Sequence, residues 1–155
     1  MVVDKTPISV ILADELVLTR AAAGILEESL HQDAPILAKS QPDVHLSAAG
    51  RETPEAVSSR FSRLSYVLFR RLFRRLDSAE LVDGGTNLDR LNRMEKRGIL
   101  SSVELWRDLR EPRNQIAHAY LIKAPAEGIK TAFHHSTKLR RTVHRLCAYV
   151  KTPKL

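Results

Sequence analysis

One cysteine, six glycines, an aromatic content of 5% and no long apolar run restrict what this 155-residue chain can be. The lone thiol, Cys147, excludes an internal disulfide and fits a reducing compartment. No stretch approaches the ~18 uninterrupted apolar residues of a membrane helix, so no membrane span is expected. Met1-Val2-Val3-Asp4 offers neither a basic start nor a continuous apolar stretch, which argues against a signal peptide and for a cytoplasmic address. Acidic side chains are in the minority, 18 Asp and Glu against 25 Lys and Arg, giving a formal charge of +7 and a sequence pI near 9.9. Such an excess attracts polyanions, nucleic acid among them, without identifying one. There is no Walker loop, dinucleotide fingerprint or nucleophile elbow, and no cofactor is expected.

What is present is the composition of a folded globular chain, 43% apolar and 28% charged, at a length that buries one ordinary core. Leu, Ala, Arg and Glu recur at spacings of three and four, which predicts an all-α single domain of four to five helices over residues 1–155. The first helix is expected to open at Thr6-Pro7 and to bury Ile8, Ile11, Leu12, Leu18, Ala22, Ile25 and Leu26, ending near Leu30. Pro35, Pro42 and Gly50 make residues 33–53 a long surface connection, with room for a short helical piece. A second helix starts at Thr53-Pro54-Glu55, with Thr53 as the cap. It carries a buried line of Val57, Phe61, Leu64, Leu68, Leu72 and Leu76 beside Arg60, Arg63, Arg70, Arg71, Arg74 and Arg75. Gly84-Gly85 interrupts the pattern, and Thr86 to Asp89 offer caps for a third helix through Leu88, Leu91 and Met94, closed by Gly98. A fourth helix opens at Ser101-Ser102 and Glu104. The last runs from about Ala126 to Val150, with Ile129, Phe133, Leu139, Val143, Leu146 and Val150 inward.

The fourth helix holds the densest chemistry. At about 100° per residue, Leu105, Leu109, Ile116 and Ala119 fall on its core side, while Arg107, Glu111, Asn114 and His118 form one polar line. Arg110 and Arg113 lie along the edge of that line. His118 can move a proton near neutral pH, and Arg113 can stabilise charge developing on a phosphate, which are the two requirements for cutting RNA through its own 2′-hydroxyl without a metal. Arg107, Arg110, Arg70, Arg71 and Arg74 are the candidate RNA contacts, although a charged helix face is ordinarily just solvated. His134, His135, His144 and Cys147 lack a paired-ligand pattern and do not predict a metal site. Trp106 and Phe133 read as core anchors rather than base-stacking platforms.

Arg113-Asn114-Gln115-Ile116-Ala117-His118-Ala119-Tyr120 resembles the Arg-Asn-x-x-x-His-x-Tyr signature of the HEPN superfamily, especially HepT-type toxins paired with a minimal nucleotidyltransferase. Leu91 to Leu100, with their glycine turn at Gly98, and Glu104-Leu105-Trp106 are similar to that group's upstream helix and helix start, so the likeness spans roughly residues 56–122. The resemblance implies an antiparallel four- to five-helix bundle that forms a homodimer, places two motifs on one cleft and acts as a metal-independent endoribonuclease on RNA such as tRNA or mRNA. It implies Arg113 and His118 as the catalytic pair, Asn114 as an orienting residue, and Tyr120 as the hydroxyl adenylylated by the antitoxin to silence the toxin. Pro112 departs from a smooth helix: it removes the bond to the Asp108 carbonyl and disfavours a helical Glu111. A kink there can aim the motif into the cleft, or can leave the protein as a non-cutting binding or regulatory partner of a nucleotidyltransferase.

Overall fold

A computed structural model describes residues 8–39, 48–104, 106 and 125–151, and all of its regular structure is helical. Helix α1 covers Ile8–Lys39, α2 covers Ala48–Tyr66, a π-helical turn covers Val67–Leu72, and α3 covers Phe73–Ala79. Helix α4 covers Asn87–Lys96 and α5 covers Pro125–Lys151. Tyr66 and Phe73 both keep right-handed helical backbone, so α2, the π turn and α3 form one continuous rod.

The order of cross-helix contacts gives the directions. Glu15 near the start of α1 meets Arg71 and Arg75 at the far end of the rod, whereas Arg60 donates to Ser29 Oγ, so α1 and the rod are antiparallel. Glu27 meets Arg140, and the charge of Arg20 reaches the Cys147 thiol, so α5 also runs antiparallel to α1. The three long elements pack against one another, with α4 against α3.

Leu12, Leu16, Ala23, Leu26 and Leu30 are the buried apolar residues of α1. With the buried Thr19 between Leu16 and Ala23, their steps alternate four and three and draw a single line along the helix. Ile8, Leu18 and Ile25, expected inside, are 43%, 70% and 51% exposed, and Ala22 is exposed as well. The reason is that α1 carries two neighbouring apolar lines; the inner one admits Thr19, while Ser29, on the outer one, is buried where that line meets Arg60 of the rod. The hydroxyls of Thr19 and Ser29 donate to the Glu15 and Ile25 carbonyls, one turn back, and so are buried already satisfied.

The expected connection over residues 33–53 is mostly helix instead. α1 continues through Pro35 to Lys39, and α2 begins at Ala48, so Thr53 and Pro54 lie in its second turn rather than at its cap. Proline removes one hydrogen bond of the ladder and can bend a helix without ending it.

In the rod, Val57, Phe61, Leu64, Leu68, Leu72 and Leu76 are all buried, as the spacing predicts. The tandem Leu-Phe-Arg-Arg over residues 68–75 has a period of four, which drifts by about 40° per repeat on a regular helix. The π turn absorbs that drift: the Phe73 N–H donates to the Leu68 carbonyl five residues back, and the wider turn keeps Leu68 and Leu72 both at 0% exposure. Phe69 and Phe73 then meet edge to face at 5.2 Å.

Both ends of α4 follow its sequence signals. Thr86 Oγ1 accepts from the Asp89 N–H while the Asp89 carboxylate accepts from the Thr86 N–H. At the other end Gly98 takes φ +72°, with Gly98 N–H donating to the Glu95 carbonyl and Ile99 N–H to that of Met94.

Candidate functional site

Arg107, Arg110, Arg113, Asn114, His118 and Tyr120, together with Pro112, lie outside the described residues. The structure describes what flanks them. Before the motif, Ile99 and Leu100 are buried, Val103 N–H donates to Glu95 Oε2 at 3.0 Å, and Trp106 packs on the core as an anchor. After it, α5 starts at Pro125 and buries Leu139, Val143 and Leu146. The backbone of Phe133 lies in α5, and its side chain is outside the described residues.

The upstream anchor is held by an ionic cluster that no sequence motif announced. Asp77, 3% exposed on α3, accepts from Arg93 Nη2 and from Arg97 Nη1, each at 2.7 Å, with Arg90 Nε at 3.4 Å. Arg90, Arg93 and Arg97 step by three and four along α4, which puts all three on one side while Leu91 and Met94 occupy the buried side. Arg97 also reaches Glu80 Oε2 at 2.5 Å, and the Tyr149 hydroxyl of α5 donates to Glu80 Oε1 at 2.7 Å. Burial pushes the Asp77 carboxyl upward, but hydrogen bonds and charge from Arg93 and Arg97 outweigh it and hold the group below the ordinary carboxylate value. Reciprocally, the bond to Asp77 raises Arg93 above its usual range. With Asp77, Glu80 and Asp89 set against three arginines, the cluster is balanced in charge. Its chemistry is that of a clamp tying α3, α4 and α5 beside the entry to residues 107–124. The only sequence signal for it was the regular step of three arginines on a short amphipathic helix.

Among the sequence-designated RNA contacts, Arg70, Arg71 and Arg74 are described, and all three are exposed. They are not equivalent. Arg71 donates to Glu15 at 2.7 Å, whereas Arg70 and Arg74 have no carboxylate partner among the described residues. Arg70 also borders a notch of about 20 Å³ with Phe69, Asn87, Arg90, Leu91 and Trp106, far too small to admit a base.

No group of three His, Cys, Asp or Glu able to hold a metal ion occurs among the described residues. His134 and His135 meet edge to face at 4.8 Å, and burial pushes the half-buried Cys147 thiol upward, away from thiolate reactivity. No helix among them is long and apolar enough to cross a membrane. Comparison with known protein families, curated proteins and solved structures finds no match to this chain.

Proposed function

We propose that the chain is a metal-independent endoribonuclease of the HEPN type, a HepT-like toxin silenced by a nucleotidyltransferase antitoxin. The observation that carries this reading is the sequence Arg113-Asn114-Gln115-Ile116-Ala117-His118-Ala119-Tyr120. An imidazole and a guanidinium five residues apart meet the two demands of the reaction, proton transfer at the 2′-hydroxyl and charge stabilisation at the phosphate. The all-helical frame supports it, as do Arg70 and Arg74, two exposed cations with no described carboxylate partner, which are open to a phosphate backbone. Homodimerisation through the motif helices belongs to this reading, because two copies double the acid–base groups and cations in one cleft. Pro112 favours a second reading, a non-cutting partner of the nucleotidyltransferase, since a break in the helix ahead of Arg113 can misplace the pair.

The antitoxin arm of the proposal is tested by incubating wild type and Tyr120→Phe with the nucleotidyltransferase and ATP, then measuring intact mass. Wild type gains nucleotide mass and loses cleavage activity, while Tyr120→Phe gains none and keeps cutting. An equal mass gain on both proteins removes Tyr120 as the switch.

A further inference from the structure

The outer apolar line of α1 does not lie alone. Together with Leu64 and Val67 of the rod, Leu18, Ala22 and Ile25 form the floor of an open groove of about 390 Å³. Leu18 and Ile25 are 70% and 51% exposed, which is a large apolar surface to leave in water on so basic a chain. The rim on the rod side is cationic. Arg60, Arg63 and Arg71 line it against one carboxylate, Glu15, which Arg71 and Arg75 already share. Arg63 is exposed and has no ion-pair partner among the described residues.

We propose that this groove docks an amphipathic helix of a partner protein, one that carries carboxylates along the edge of its apolar face that meets the rod. Two neighbouring helices make a natural seat for a third, whose residues at i, i+3 or i+4, and i+7 fill the furrow between them. The floor from Leu18 to Ile25 extends about 10 Å along α1, two turns of such a helix. Charge selects the class of occupant. Three arginines against one glutamate leave the lining at +2 (3 − 1), so carboxylates at its rod-side edge are attracted. A second copy of the chain fits poorly, because an isologous contact would bring two like-charged surfaces together. RNA fits poorly too, since no aromatic side chain lines the groove for base stacking and a phosphate backbone would leave the aliphatic floor in contact with water. This proposal does not rest on the ribonuclease reading, and loss of that reading leaves it standing.

The test uses the full chain and a fluorescein-labelled 18-residue peptide, with Leu at helical i, i+3, i+4, i+7 positions and Glu on the flanks, followed by anisotropy. A Lys-flanked peptide of the same apolar pattern is the control. The Glu peptide binds at least tenfold tighter than the Lys peptide. Leu18→Glu and Ile25→Glu each weaken it at least tenfold, and Arg63→Glu shifts the preference toward the Lys peptide. All three substitutions fall on exposed positions, and circular dichroism checks that the helices are retained. Equal binding of both peptides, no binding of either, or indifference to Leu18→Glu overturns the proposal. So does a dimer that Leu18→Glu dissociates in sedimentation, which assigns the groove to a second copy. Single-stranded RNA whose binding Leu18→Glu abolishes would overturn it likewise.

Discussion

Asp77 ties α3 to α4 through three arginines. It is buried at 3% exposure, and its two hydrogen-bonded arginines, Arg93 and Arg97, keep 24% and 11% of their own side-chain surface. Removing the carboxylate leaves three clustered guanidinium groups against two carboxylates, Glu80 and Asp89, with Arg93 losing its hydrogen-bonded partner. Asp77→Ala is therefore expected to cost about 3 kcal/mol by denaturant unfolding, the low end for breaking a buried pair, because the arginines retain access to water. The pH dependence has a definite sign. A carboxyl held below its ordinary value of 3.8 contributes stability that is complete above that pH and is lost as pH falls through the folded-state value. The stability gap between wild type and Asp77→Asn should thus be full at neutral pH and shrink below pH 3.8. A gap that stays constant on acidification would mean that the charge of Asp77 contributes nothing. Beyond the regular step of three arginines along α4, none of this was legible beforehand, because whether an aspartate inside an arginine-rich run is buried depends on which way that later helix is docked.

Among the elements, those whose ends are set by local chemistry were legible and those set by packing were not. Thr86, Asp89 and Gly98 delimit α4 because capping needs only neighbours in sequence. The buried line of the rod was equally plain from its spacing. The face of α1 was not, since two adjacent lines were apolar enough to go inward and only the rod and α5 choose between them. The π turn also escaped, although the Leu-Phe-Arg-Arg tandem with its period of four was its signal. The end of α3 carries a testable cost. Leu81 sits at φ +59° and 93% exposure, with its N–H donating to the Ser78 carbonyl and the Val82 N–H to that of Asp77. That is the position of a helix terminator where glycine is normally found, and a leucine side chain is strained there. Leu81→Gly should raise stability by about 1 kcal/mol, read as a higher denaturation midpoint, because the strain is relieved and the core packing stays as it was. A lower midpoint would show that the Leu81 side chain stabilises the fold in a way that its exposure does not suggest.

At the scale of the whole molecule, three long helices and a clamped short one precede and follow residues 107–124 in the chain. The all-helical architecture was legible from periodicity and from the scarcity of glycine and aromatic residues. The proposed catalytic chemistry is carried by the motif sequence itself, whose side chains lie outside the described residues, so its decisive test is chemical. Purified wild type in EDTA is incubated with RNA beside His118→Ala and Arg113→Ala, each checked for native helicity, and the product ends are mapped. The account predicts cleavage by wild type without a divalent ion, 2′,3′-cyclic phosphate ends, and a rate ~10²–10⁴-fold lower in either variant. Wild-type-like cleavage by both folded variants, or strict dependence on a divalent metal, would contradict it.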